Sequence, residues 1–161
     1  MVSQATKYLR AARLLCKLIP VTTKQPQTKN QSEGNKYEIN SWEDQEFVAA
    51  VKATGRKKLI MCALWTEACL LFPALDALSE GYEVYPVTDA VGGTSPESHR
   101  AALERMIHAG AKPTTWISVH CELQRDWARA NTVPGFVQAV VEHGRPGWFL
   151  NLVEQRQRMK K

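Results

Sequence analysis

Apolar positions along this chain change spacing at regular intervals, and the changes mark its elements. Residues 58–64 (KLIMCAL) form a short apolar run of strand length. From 66 to 80 the spacing becomes helical, with Leu70, Leu71, Ala74, Leu75 and Leu78 on one stripe. Gly81 falls where a helix C-terminus favours a residue able to take positive φ. Residues 82–87 (YEVYPV) then carry the aromatic and β-branched residues of a strand. Strand, helix and strand within about thirty residues make a βαβ unit.

The flanking segments continue the pattern. Ser41, with Asp44 three residues on, is a capping-box-like start for a helix over 42–54, with Phe47, Val48 and Val51 facing inward and Gly55 at its end. Ser95 as N-cap and Pro96 at the first helical position open the next helix, which runs over 99–109 and stops at Gly110. Residues 113–119 (PTTWISV) predict a strand and 123–129 a short helix; Thr132-Val133-Pro134 open a last helix through His143, ended by Gly144. At the N-terminal end, 3–18 is a helical pattern with Leu9, Leu14, Leu15 and Leu18 apolar, and 19–24 (IPVTTK) has the look of a short strand. Residues 25–36 are a polar loop. Alternating helices and strands predict an α/β fold: a parallel sheet with helices on both faces and a cleft at the carboxyl ends of the strands.

Composition narrows the class. A chain of 161 residues with 44% apolar content reads as one globular domain, and no apolar run is long enough to cross a membrane. The net charge of +5 sits at the ends: 1–32 carry six basic residues and no acid, and 151–161 carry four against Glu154. Between them, eleven basic and fifteen acidic residues argue against a nucleic-acid-binding face. Cys16, Cys62, Cys69 and Cys121 have neither CxxC nor metal-finger spacing. They read as reduced thiols of an intracellular protein with no metal site. Gly92-Gly93 lacks the lysine of a phosphate loop, and adjacent His120, Cys121 and Glu122 cannot share a metal. Asp89 reads as fixing its turn by local hydrogen bonds.

Cys69 is the candidate for chemistry. It lies at the predicted N-terminus of the 66–80 helix, where the helix dipole and unpaired N–H groups favour a thiolate and offer donors to an oxyanion. The alternative is a small buried apolar residue.

Three stretches carry a resemblance: LWTEACLLFPALDALSEGYEVYPVTDA, the upstream NSWEDQEFVAAVKATGRKKLIMCA and the downstream GAKPTTWISVHCELQRDWAR. Across most of 36–129 the chain resembles the isochorismatase-like cysteine hydrolases. The resemblance implies that the Thr-x-x-Cys step, Thr66 to Cys69, presents a nucleophile. It also implies that Lys36, four residues before Asn40 in KYEINSW, assists by its charge, and that the backbone N–H groups of Trp65 and Cys69 hold the oxyanion. Trp42, Trp65 and Thr66 then line the substrate site, and the Leu64–Trp65 peptide is expected to be cis. The implied fold is a three-layer α/β/α domain over 1–150 with a basic tail over 151–161. The family's first strand ends in a catalytic aspartate, and no apolar strand ending in Asp-x-Gln occurs in this sequence. The expectation is therefore an N-terminally truncated fold with an incomplete Asp-Lys-Cys triad, and either a sheet rearranged so that 19–23 pairs with 58–64, a partner that covers the gap, or a natural start upstream of Met1. In this reading 3–24 is helix and strand of the domain; the other reading of its acid-free, Arg-rich pattern is a mitochondrial transit peptide.

Two functions follow. One is a cytoplasmic hydrolase, free of cofactor, metal, nucleic acid and membrane, acting on a small amide or related carbonyl substrate and forming a homo-oligomer in which Trp148 and Phe149, in the stretch that follows Gly144, dock on a partner subunit. The other is a non-catalytic form of the fold that serves in binding or assembly.

Overall fold

The structure, a computed structural model, describes residues 39–144. The predicted helix and strand over 3–24, the 25–36 loop, Lys36 and the 151–161 tail lie outside them. The chain packs as two compact units that meet in sequence at Trp116 and Ile117.

In the first unit a single 3-10 turn, Ser41–Glu43, precedes helix α1, Gln45–Ala53. The helix begins later than predicted because Asp44, not Ser41, is its cap: the Asp44 carboxylate accepts the N–H groups of Glu46 (2.9 Å) and Phe47 (3.2 Å). Asn40 caps the 3-10 turn, accepting the Trp42 N–H, and its amide donates to Asp76 at 2.7 Å. Gly55, at φ 63, turns the chain into strand β1, Lys58–Met61.

The predicted βαβ unit follows. After β1 comes a π-type turn, Thr66–Leu70, that runs into helix α2, Leu71–Ser79. Gly81, at φ 81, ends this helix, and strand β2, Glu83–Pro86, pairs parallel with β1, Lys58 opposite Glu83. Beyond Met61 the chain bends at Leu64, and Trp65, extended, forms a parallel bridge with Gly92. Ser95 accepts the Ser98 N–H and Pro96 opens helix α3, Pro96–His108, with Gly110 beyond it at φ 103.

The predicted 113–119 strand is corrected. Residues 112–114 do run beside β2: the Lys112 and Thr114 N–H groups donate to Val84 and Pro86 carbonyls, both at 2.9 Å. The β-branched run then leaves the sheet, because the Asp89 carboxylate accepts the Trp116 N–H at 2.8 Å where helix α4, Trp116–Gln124, begins. Asp89 thus makes a long-range bond rather than only a local one. The core of this unit is apolar and continuous: Leu70, Leu71, Ala74, Val84, Val91 and Met106 are buried together, with Trp42 and Tyr82 beside them.

In the second unit the short helix predicted over 123–129 is absent. Helix α4 ends at Gln124, Arg125 takes φ 61, and Asp126 accepts the Ala128 N–H in a local turn. Helix α5, Val133–His143, matches its predicted start and stop. His120 is buried here, stacked on Phe136 at 4.2 Å with Nε2 3.1 Å from the Phe136 carbonyl oxygen.

Candidate active site around Cys69

Cys69 sits half-buried in the π-type turn that links β1 to α2. The turn closes on Trp65, whose carbonyl accepts N–H groups from Ala68 (3.3 Å) and Leu70 (3.2 Å). Widened single turns of this kind recur at functional sites. The Thr66 N–H is occupied by the Gly92 carbonyl at 3.0 Å. Among the described residues no acceptor faces the Trp65 N–H. Every peptide bond of the described residues is trans, Leu64–Trp65 included, so the expected cis bond is corrected; trans is the ordinary state of a bond without proline.

The other predicted residues divide. Trp65 is half exposed, at 51%. Thr66 is fully buried, and its hydroxyl lies 2.8 Å from Nδ1 of His99. Trp42, expected as a wall of the substrate site, is a core residue. It packs edge-on against Phe47 (6.1 Å) and Tyr82 (5.6 Å), and its Nε1 donates to Glu80 at 2.8 Å. A wide aromatic surface with a satisfied N–H is what an apolar core accommodates. Lys36 lies outside the described residues. Among those residues no cluster of His, Cys, Asp and Glu is arranged to hold a metal ion, and Cys69 and Cys121 are free thiols.

Sequence reasoning missed four residues behind the turn. Glu67 accepts both the Thr94 N–H (2.8 Å) and the Thr94 hydroxyl (2.6 Å) on one carboxylate oxygen, while its other oxygen is buried without a partner. The Thr94 hydroxyl, chiefly, holds the Glu67 carboxyl below its ordinary value of 4.5; burial opposes it, and the Thr94 and Glu67 N–H groups and the nearby His99 add to the lowering. Gly93 lies between these groups: a Cβ there would stand 2.8 Å from His99 Cβ and 3.0 Å from Glu67 Oε2. The Gly-Gly-Thr-Ser step was visible in sequence as a turn; that it folds back onto Glu67 was not.

Residues 7–118 match the isochorismatase domain model. The chain belongs to the isochorismatase family. It is 45% identical over 105 residues to the probable hydrolase YcaC of Escherichia coli, covering 65% of this chain and 50% of that protein. The chain thus spans half the length of that protein, and about a quarter to a third of the length of other curated relatives it matches. Among solved structures, YcaC from Pseudomonas aeruginosa with hexane-2,5-diol and covalent acrylamide superposes with a TM-score of 0.67 at 43% identity, covering 76% of this chain and 58% of that one. The Escherichia coli YcaC crystal structure, an octameric hydrolase of unknown specificity, gives a TM-score of 0.67 at 40% identity, covering 77% and 59%. These likenesses carry the α/β fold with its parallel sheet.

Proposed function

We propose that this chain is a cysteine hydrolase in which Cys69 attacks the carbonyl carbon of a small amide or related substrate. The observation that carries the reading is the geometry of the turn: a half-buried thiol in the π-type turn between strand β1 and helix α2, four residues after an N–H with no acceptor among the described residues. The Cys69 thiol gives up its proton and the thiolate forms a C–S bond; the carbonyl oxygen becomes an oxyanion held by the Trp65 and Cys69 N–H groups, and its collapse breaks the C–N bond, the amine leaving with the proton the thiol gave up. Water then cleaves the thioester, releasing the acid and restoring the thiol. Lys36 would favour the thiolate by its charge, while Trp65, half exposed, borders the substrate; Thr66, expected there from sequence, is instead buried behind the turn.

The relatives support this reading. One is a probable hydrolase, and another holds acrylamide covalently. Acrylamide is both an electrophile and a primary amide, so covalent capture requires a nucleophile in that protein. The chemistry suits the cytoplasm, where thiols stay reduced. The test is alkylation of the four thiols followed by mass spectrometry, with an amide turnover screen alongside. Fast labelling of Cys69 ahead of Cys16, Cys62 and Cys121, and turnover lost in Cys69→Ala, are expected. Uniform slow labelling with turnover unchanged by the substitution sinks the reading and favours a non-catalytic binding or assembly role.

Assembly belongs to the same proposal. The octameric state of the Escherichia coli relative suggests a homo-oligomer here. Light scattering coupled to size-exclusion chromatography is expected to give a mass several times 18.1 kDa; a monomer at all concentrations overturns it.

A further inference from the structure

The turn that bears Cys69 is held from behind by the start of another helix. Thr66, three residues before the thiol, has no exposed surface, and its hydroxyl bonds to Nδ1 of His99 at 2.8 Å. The direction of that bond follows the histidine tautomer. Glu67, the next residue, is gripped by Thr94 through both N–H and hydroxyl. The Thr66 N–H is gripped by the Gly92 carbonyl at 3.0 Å. His99 itself is fixed because it lies in the first turn of α3, which Ser95 caps. Gly93 closes the gap so tightly that a single added carbon would meet His99 at 2.8 Å.

We infer that His99 is a positioning residue for Cys69, acting through the Thr66 hydroxyl to hold the π-type turn in register with the Trp65 N–H. This rests on the hydrolase reading above. A nucleophile on a wide turn has an alternative open to it: the turn can relax by one hydrogen bond toward ordinary helix, which rotates every side chain on it. The Thr66–His99 bond, formed 33 residues apart in sequence, opposes that rotation at the residue where it would begin. Glu67 opposes it one residue later. Misplacement of a reacting group by about 1 Å is enough to cost about 10²-fold in rate.

The experiment compares His99→Ala, His99→Asn and His99→Gln in the full chain, reading the Cys69 alkylation rate and amide turnover beside thermal stability. Asn sets a polar atom near the position of Nδ1; Gln reaches toward Nε2 instead. Losing the tether in His99→Ala is expected to slow both Cys69 rates by about 10²-fold while Cys62 and Cys121 label as before. Asn is expected to restore most of the loss and Gln little. Should His99→Ala fail to fold, Thr66→Val and Thr66→Ser put the same question from the other side: Val loses the rate and Ser keeps it. Unchanged Cys69 rates in His99→Ala, or equal behaviour of Asn and Gln, overturn the positioning role while leaving the hydrolase reading intact. Absence of preferential Cys69 labelling in the unaltered chain overturns the hydrolase reading, and the positioning role with it.

Discussion

Glu67 shows what one residue contributes when its environment is built from two separate stretches of chain. Its carboxylate is held charged, chiefly by the Thr94 hydroxyl, so its pKa in the fold lies below the ordinary 4.5. A lowered folded-state value means that the group stabilises the fold above the unfolded value and loses that contribution as pH falls through the folded one. Glu80 and Glu83 shift the same way, through Trp42 and Lys112 respectively. The unaltered chain therefore weakens in acid for several reasons. The share due to Glu67 is isolated by Glu67→Gln, which is expected to flatten part of the decline below pH 4.5. Urea unfolding of both proteins across that range checks it; parallel curves would show that the Thr94 bonds contribute nothing through charge. In the sequence Glu67 was only the second residue of a Thr-x-x-Cys step, because its partner lies 27 residues away.

Elements were legible wherever local chemistry and tertiary demand agreed. Ser95 with Pro96, and the glycines at 55, 81 and 110, mark helix boundaries with no help from the rest of the fold, since caps and positive φ are local needs. Where the two diverged, packing won. The PTTWISV run has strand composition, yet a carboxylate from Asp89 takes the Trp116 N–H and the chain coils into α4. The turn at Thr66–Leu70 reads as the start of an ordinary helix but takes a π form, with its last residue, Leu70, in the core at 1% exposed. Leu70→Ala is accordingly expected to cost about 2–5 kcal/mol, the range for an emptied core leucine. Chemical denaturation measures it; a loss under about 1 kcal/mol, the cost of a conservative core swap, would mean that the turn does not anchor there.

For the molecule as a whole, family membership and the parallel βαβ unit follow from residue order, because hydrophobic spacing sets which elements form and short connections set how they pair. The position of Cys69 at a strand-to-helix turn was equally a matter of sequence. Whether a side chain beside that turn faces a substrate or the core was not. Trp42 carries the same aromatic signal as Trp65, yet Trp42 is buried against Tyr82 and bonded to Glu80, while Trp65 stands half exposed. Local pattern specifies backbone state and the face that seeks cover. What covers it, and which polar groups meet behind the Cys69 turn, depends on residues 27 and 33 positions away. Those meetings of Thr66 with His99 and Glu67 with Thr94 exist only once α3 has packed beside the turn.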